Sequence, residues 1–207
     1  MFLRPFLHLP TSSCLDATMY ACPADALQHP YDPYAHGGMR LNSGDRALLR
    51  PALPQDGPLA LRFMRGLSPR THWRRFHGRL PALGMVALAS TDSMPHPPHQ
   101  ALVAVVREGG YERIVGDARF VRDSGGREAE FAVVVCDSMR RQGLGRALLL
   151  GLQQQAAESG VRWLRGDVHL DNPPMLALML SLGFRPARCD EAAGLMVFEQ
   201  RLLAPDA

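Results

Sequence analysis

Lysine is absent from this chain of 207 residues: every one of its 23 basic residues is arginine. That excludes a nucleophilic or Schiff-base lysine and a Walker-type phosphate loop, whose lysine rests on the phosphates. Against 20 acidic residues the balance is a formal +3, too slight to argue for nucleic acid. Cysteine is scarce as well. Cys14, Cys22, Cys136 and Cys189 form no C-x-x-C, and no cysteine–histidine pair has zinc-ligand spacing. Neither a structural metal nor a disulfide framework is expected. No apolar run approaches the roughly 18 residues of a membrane span. Arg4, Pro5, His8 and Pro10 interrupt Met1–Leu9 before an export signal can form. A soluble, cytoplasmic protein is expected, with neither nucleic acid nor membrane as partner. What is present is ordinary: 46% hydrophobic residues suffice for the core of one domain.

The first forty residues show neither helical nor strand periodicity. Pro10, Pro23, Pro30, Pro33 and Gly37-Gly38 punctuate them, and residues 1–43 read as an irregular N-terminal extension ahead of a domain spanning 44–207. From Arg46 onward strand and helix signals alternate, which points to an α/β (α+β layered) fold. Ala47–Arg50 reads as a strand and Gln55–Gly66 as a helix with Leu59 and Phe63 on one face. Ser68 caps a second helix, with Pro69 at its first position, running to about Phe76. Ala101–Val106, Arg113–Val121 and Glu128–Cys136 read as an antiparallel meander turned at Gly109-Gly110 and Gly125-Gly126. A helix from about Gly143 to Ser159, a strand over Val161–Leu170 and a helix bracketed by Asn172-Pro173 and Gly183 follow. Phe184–Arg188 and Leu195–Arg201 close the sheet.

The informative stretch is Phe131-Ala-Val-Val-Val-Cys-Asp-Ser-Met-Arg-Arg-Gln-Gly-Leu-Gly-Arg-Ala147: a strand, a short loop, then Arg140-x-x-Gly143-x-Gly145 opening a helix. The first turn of a helix offers unpaired backbone N–H groups and the positive end of its dipole. Glycines let an anion approach that backbone closely, and Arg140, Arg141 and Arg146 add charge. A diphosphate suits such a place. A dinucleotide fold uses the same physics, but its fingerprint wants a third glycine, where Leu148 stands, and a parallel strand arrangement.

The R/Q-x-x-G-x-G/A pattern resembles motif A of the GNAT (GCN5-related N-acetyltransferase) superfamily. Asn172-Pro-Pro-Met-Leu-Ala-Leu-Met-Leu-Ser-Leu-Gly-Phe184 resembles that superfamily's second signature, and the element order matches over about Arg46 to Leu202. Phe63-Met-Arg-Gly-Leu-Ser-Pro69, Arg75-Phe76 and Glu128-Ala-Glu-Phe-Ala-Val-Val-Val135 are similar to the catalytic domain of bacterial Pat-type protein lysine acetyltransferases. The resemblance implies a GNAT fold, a mixed, mostly antiparallel sheet flanked by helices. It implies acetyl-CoA as co-substrate, its diphosphate held by the loop Arg140, Arg141, Gln142, Gly143, Leu144, Gly145 and Arg146. Val133, Val134 and Val135 would bond the pantetheine arm through their backbone, and Asn172 would touch the cofactor. Pat-type members usually carry a regulatory domain besides, which is not expected within these 207 residues.

Attack by an amine needs the free base, while a lysine-like ammonium has a pKa near 10.4. Glu130 lies in an otherwise apolar run and occupies the position of the Pat-type catalytic glutamate, so it is the expected general base. A strand-face ion pair with Arg119 is the competing role, and Glu128 on the same face is the substitute base. The tyrosine many GNAT enzymes use as acid is Met179 here, better suited to packing. His169 could donate a proton but more often such a residue is structural, and Cys136 and Cys189 are read as packing residues. The expected partners are acetyl-CoA and an amine acceptor, with protein lysine favoured, and a homodimer is admitted. The alternatives are a small-molecule amine N-acetyltransferase and an acyl-CoA-binding sensor without turnover.

Overall fold

The computed structural model describes residues 38–76 and 99–202, so Cys14, Cys22 and most of the expected extension lie outside it. Among the described residues eight strands form one sheet: β1 Met39–Arg40, β2 Arg46–Pro51, β3 His99–Glu108, β4 Tyr111–Arg122, β5 Glu128–Val135, β6 Trp163–His169, β7 Arg185–Asp190 and β8 Leu195–Arg201. Their order is β1-β2-β3-β4-β5-β6-β8-β7. The helices are α1 Gly57–Arg65, α2 Pro69–Phe76, α3 Leu144–Glu158 and α4 Pro173–Ser181. The mixed, mostly antiparallel sheet is as expected: β5 and β6 run parallel, and every other neighbouring pair is antiparallel. No described helix is long and apolar enough to cross a membrane.

Two boundaries differ from the sequence expectation. The described end of the N-terminal segment is ordered as a strand: Met39 and Arg40 pair with Ala47 and Arg46, and Leu41 is buried. The turn that makes this pairing places Gly44 at φ +94, and its short polar residues had masked a two-residue strand. The start of the expected first helix is a 3-10 turn over Pro54–Asp56, with α1 proper beginning at Gly57. Cys136 is buried, but Cys189 is exposed on the edge strand β7, so it is not a packing residue.

The core forms where apolar helix faces meet the sheet. Leu144, Leu148, Leu149, Leu152 and Ala156 of α3 are buried at helical spacing. Each such leucine contributes on the order of 1.5–3 kcal/mol by leaving water. Leu148 sits over Gly116 of β4, where a Cβ would stand 2.7 Å from its Cδ1. Beside Gly116 the β3–β4 register slips: Ala104 faces Gly116 while Val105 faces Ile114, which leaves Val115 as the bulged residue.

The feature that positions the site is a divergence. β5 and β6 pair only over Glu128–Glu130 against Trp163–Arg165. Beyond that point β5 continues to Val135, paired only with β4, and β6 continues to His169, paired with β8. The pairing ends where the Phe131 ring lies over Gly166, whose Cβ, if it had one, would be 2.5 Å from Phe131 Cε1. That ring packs in turn on Phe184 at 5.2 Å between centroids.

Candidate active site

The gap between the parting strands is a cavity of about 670 Å³. One wall is Glu130 to Val135 of β5 and the other is Asp167, Val168 and His169 of β6; Met175 and Leu178 of α4 add apolar contact. Because β6 no longer pairs with Phe131–Val135, one backbone edge of this segment has no strand partner and faces the gap. Buried backbone groups require partners. A ligand bearing amides, laid along β5, would supply them.

The far end of the cavity is the loop from Cys136 to Gly143 and the start of α3. Arg141 adopts φ 59 and Gly143 φ +84, two left-handed residues within three. Left-handed residues in a tight loop are the backbone from which anion-holding concavities are built. No side chain caps α3, and Gly143, Leu144, Gly145 and Arg146 all line the cavity. The unpaired N–H groups of the first helical turn and the dipole's positive end therefore face the cavity. Gly145 also has a packing reason: a Cβ there would lie 3.4 Å from Leu178 Cδ2 of α4.

The three loop arginines divide. Arg140 lines the cavity but its guanidinium is engaged, 2.8 Å from Asp137 Oδ1 and donating at 2.5 Å to Thr71 Oγ1. Asp137 in turn caps α2, accepting from Ser68 N and Ser68 Oγ at 3.0 Å each and from Thr71 Oγ1 at 2.8 Å. Burial pushes the Asp137 carboxyl up, but the bonds from Ser68 and Thr71 and the Arg140 charge outweigh it and hold it below its usual range. Arg140 thus ties the loop to α2. Arg141 and Arg146 have no carboxylate partner among the described residues; Arg146 donates only to Ser181 Oγ, at 3.2 Å. Gln142 alone of the expected loop contacts does not line the cavity, because its side chain turns away to accept Ser43 N–H at 2.9 Å.

At the other end stands Glu130, half-buried beside Asp167. Burial, with the Asp167 charge second, pushes its carboxyl up to about 7; Arg75 works against them. Arg75 is itself lowered by burial to about 10, with Asp117 and Glu130 opposing the fall. Arg119 is committed to Asp117, donating at 2.9 and 2.7 Å, so the alternative ion pair with Glu130 is not formed. Glu128 lies outside the cavity, bound to Arg165 at 2.5 Å. That leaves Glu130 as the carboxylate of β5 that lines the cavity.

Asn172 is the N-cap of α4, yet the capping acceptor is its backbone carbonyl, bonded by Met175 N and Leu176 N at 3.0 and 3.1 Å. Its side chain faces the cavity and accepts from Arg74 Nη1 at 3.4 Å. His169 is buried on the cavity wall, 6.2 Å from the Trp73 ring between centroids. Met179 is fully buried in the core and does not line the cavity. Asp167 and Thr71 were not singled out from sequence, and Arg75 entered only through the resemblance, with no role at the site. Their place here depends on which strands and helices meet, for which no local pattern is a signal.

The family model described as Acetyltransferase (GNAT) family matches residues 70–184, more than half of the chain. An acetyltransferase of Pseudomonas aeruginosa is 29% identical over 144 residues, covering 70% of this chain and 77% of that protein. Acetyltransferase Pat of Mycolicibacterium smegmatis is 32% identical over 148 residues, which are 70% of this chain but 43% of that protein. The chain therefore spans less than half the length of that relative. Among solved structures, the GNAT domain of S. lividans PAT aligns with a TM-score of 0.67 at 24% identity, covering 83% of this chain and 99% of that one. A cAMP-binding acyltransferase from Mycobacterium smegmatis aligns with a TM-score of 0.54 at 26% identity, covering 82% of this chain and 49% of that one. The family model, matched over more than half of the chain, and the mixed sheet agree: the chain belongs to the acetyltransferase (GNAT) family and is similar to its Pat-type members.

Proposed function

We propose that the protein moves an acetyl group from acetyl-CoA to a primary amine by direct attack, with Glu130 as the general base and a protein lysine as the favoured acceptor. The observation that carries this reading is the continuity of one cavity from the uncapped start of α3 to Glu130. The diphosphate would rest on the N–H groups around Gly143 and Gly145, with the charges of Arg141 and Arg146 beside it. The pantetheine amides would bond the open edge of Val133–Val135, which brings the thioester to the point where β5 and β6 part.

There the incoming ammonium meets Glu130. A carboxyl titrating near 7 is deprotonated often enough to accept the proton and basic enough to take it. The amine nitrogen then bonds to the carbonyl carbon while the carbon–sulfur bond breaks. Backbone N–H groups of β5 can stabilise the oxyanion without a dedicated side chain. A thiolate of pKa near 8.5 needs little acid help to leave, which suits a site whose usual tyrosine position is the buried Met179. The likeness to Pat-type acetyltransferases favours protein lysine over a small amine. The paired carboxylates Glu130 and Asp167 would draw an ammonium of either kind.

The test is CoA release from acetyl-CoA in the presence of lysine peptides and small amines. Release should depend on the amine and fall by about 100-fold or more in Glu130→Gln, since a general base contributes roughly 10²–10⁴. Binding of CoA without amine-dependent release would mark a sensor instead, and a Glu130→Gln variant turning over like wild type would refute the base.

A further inference from the structure

We infer that residues 39–43 brace the phosphate-binding loop, with Asn42 the positioning residue that holds Arg141 in its left-handed conformation. This rests on the reading that the loop holds the donor's diphosphate. Three consecutive loop residues are each met by one residue of this short segment, about a hundred positions away in sequence. The Asn42 side-chain amide donates to the Arg141 carbonyl at 2.8 Å. The Ser43 N–H donates to Gln142 Oε1 at 2.9 Å. The Met39 side chain covers the bare Cα of Gly143, where a Cβ would stand 2.8 Å from Met39 Cε.

The conformation being held is one that arginine seldom adopts. Arg141, at φ 59, is the one non-glycine residue with positive φ among those described. Left-handed backbone is sterically costly for a residue with a Cβ, and persists where surrounding contacts over-determine it. Asn42 supplies such a contact at the carbonyl, which fixes the peptide joining Arg141 to Gln142 and so the direction of the following N–H. The brace is itself anchored. Leu41 is buried, its N–H bonds Asp45 O at 2.8 Å, Gly44 N–H bonds Leu41 O at 3.0 Å, and Ser43 Oγ bonds Asp45 Oδ2 at 3.0 Å. A rigid turn on the edge of the sheet therefore presents Asn42 and Ser43 to the loop from outside the cavity.

A brace of this kind acts on the donor's diphosphate and not on the chemistry at Glu130. Kinetics with two donors separate the two: acetyl-CoA, and acetyl-pantetheine, which keeps the thioester but lacks the diphosphate and nucleotide. In the full chain, Asn42→Ala should raise KM for acetyl-CoA roughly three- to tenfold with kcat unchanged, the loss of one modest hydrogen bond. Its kcat/KM with acetyl-pantetheine should match wild type. Asn42→Asp, of the same shape but unable to donate and negatively charged beside the Arg141 carbonyl, should raise KM for acetyl-CoA at least as much as Asn42→Ala. An equal loss with both donors, or no loss with either, would overturn the brace. Should wild type itself show no preference for acetyl-CoA over acetyl-pantetheine, the diphosphate site is what fails.

Discussion

Replacing Glu130 with glutamine should make the protein more stable and nearly inactive, and the pH dependence of both effects should level off at the same pH. The carboxyl is raised from 4.5 to about 7, chiefly by burial. At about 1.36 kcal/mol per tenfold, that rise caps the cost of ionising it in the fold at roughly 3 kcal/mol. Water reaches part of the group and screens its neighbours, so about 1–2 kcal/mol is the better figure. The sign follows from linkage. Below about pH 4.5 the group is protonated in both folded and unfolded chains and costs nothing. As pH rises the unfolded chain releases the proton first, and the folded state loses stability until its own carboxyl has ionised, above about pH 7. Glutamine carries no such penalty. Melting temperatures of wild type and Glu130→Gln should therefore coincide near pH 4.5 and diverge to about 2–6 °C in favour of the variant at pH 8. Over the same range kcat/KM of wild type should climb about tenfold per pH unit and level off near 7. The residual rate of the variant should go on rising towards the acceptor's own pKa near 10.4, because the free amine must then form unaided. A stability difference that stays flat with pH, or a wild-type rate that levels off below pH 6, would refute the reasoning.

Gly166→Ala should destabilise the fold by about 1–3 kcal/mol, since its Cβ would enter the Phe131 ring and the packing of Phe131 on Phe184 leaves little slack; urea unfolding of the variant checks it. Asp137→Ala should cost about 1–2 kcal/mol through loss of the α2 cap and of the Arg140 partner, seen as a melting temperature lower by several degrees. Gly143→Ala places a side chain at φ +84 and against Met39, so calorimetric titration should show CoA binding weakened about tenfold.

Much of the scaffold was legible because its signals are local. Ser68-Pro69 starts α2 and its Oγ accepts Thr71 N–H; the apolar period of α3 and the left-handed Gly160 and Gly183 delimit the later helices as expected. The anion-binding loop was legible for the same reason: glycine spacing at a helix start is a property of adjacent residues. Glu130 stood out as a charge inside an apolar strand. That Arg140 is tied to Asp137 was not legible, because Asp137 serves α2, which lies some seventy residues earlier.

The sequence by itself determined where backbone N–H groups would be exposed and which strand would carry a carboxylate, since propensity, turn chemistry and alternation act within a few residues. Only the tertiary structure decided that β5 and β6 pair for three residues and then part, that Asp167 faces Glu130 across the gap, and that Asn42 reaches Arg141. Strand partners are chosen by packing over the whole sheet, and a short run of polar residues carries no mark of the loop against which it will fold.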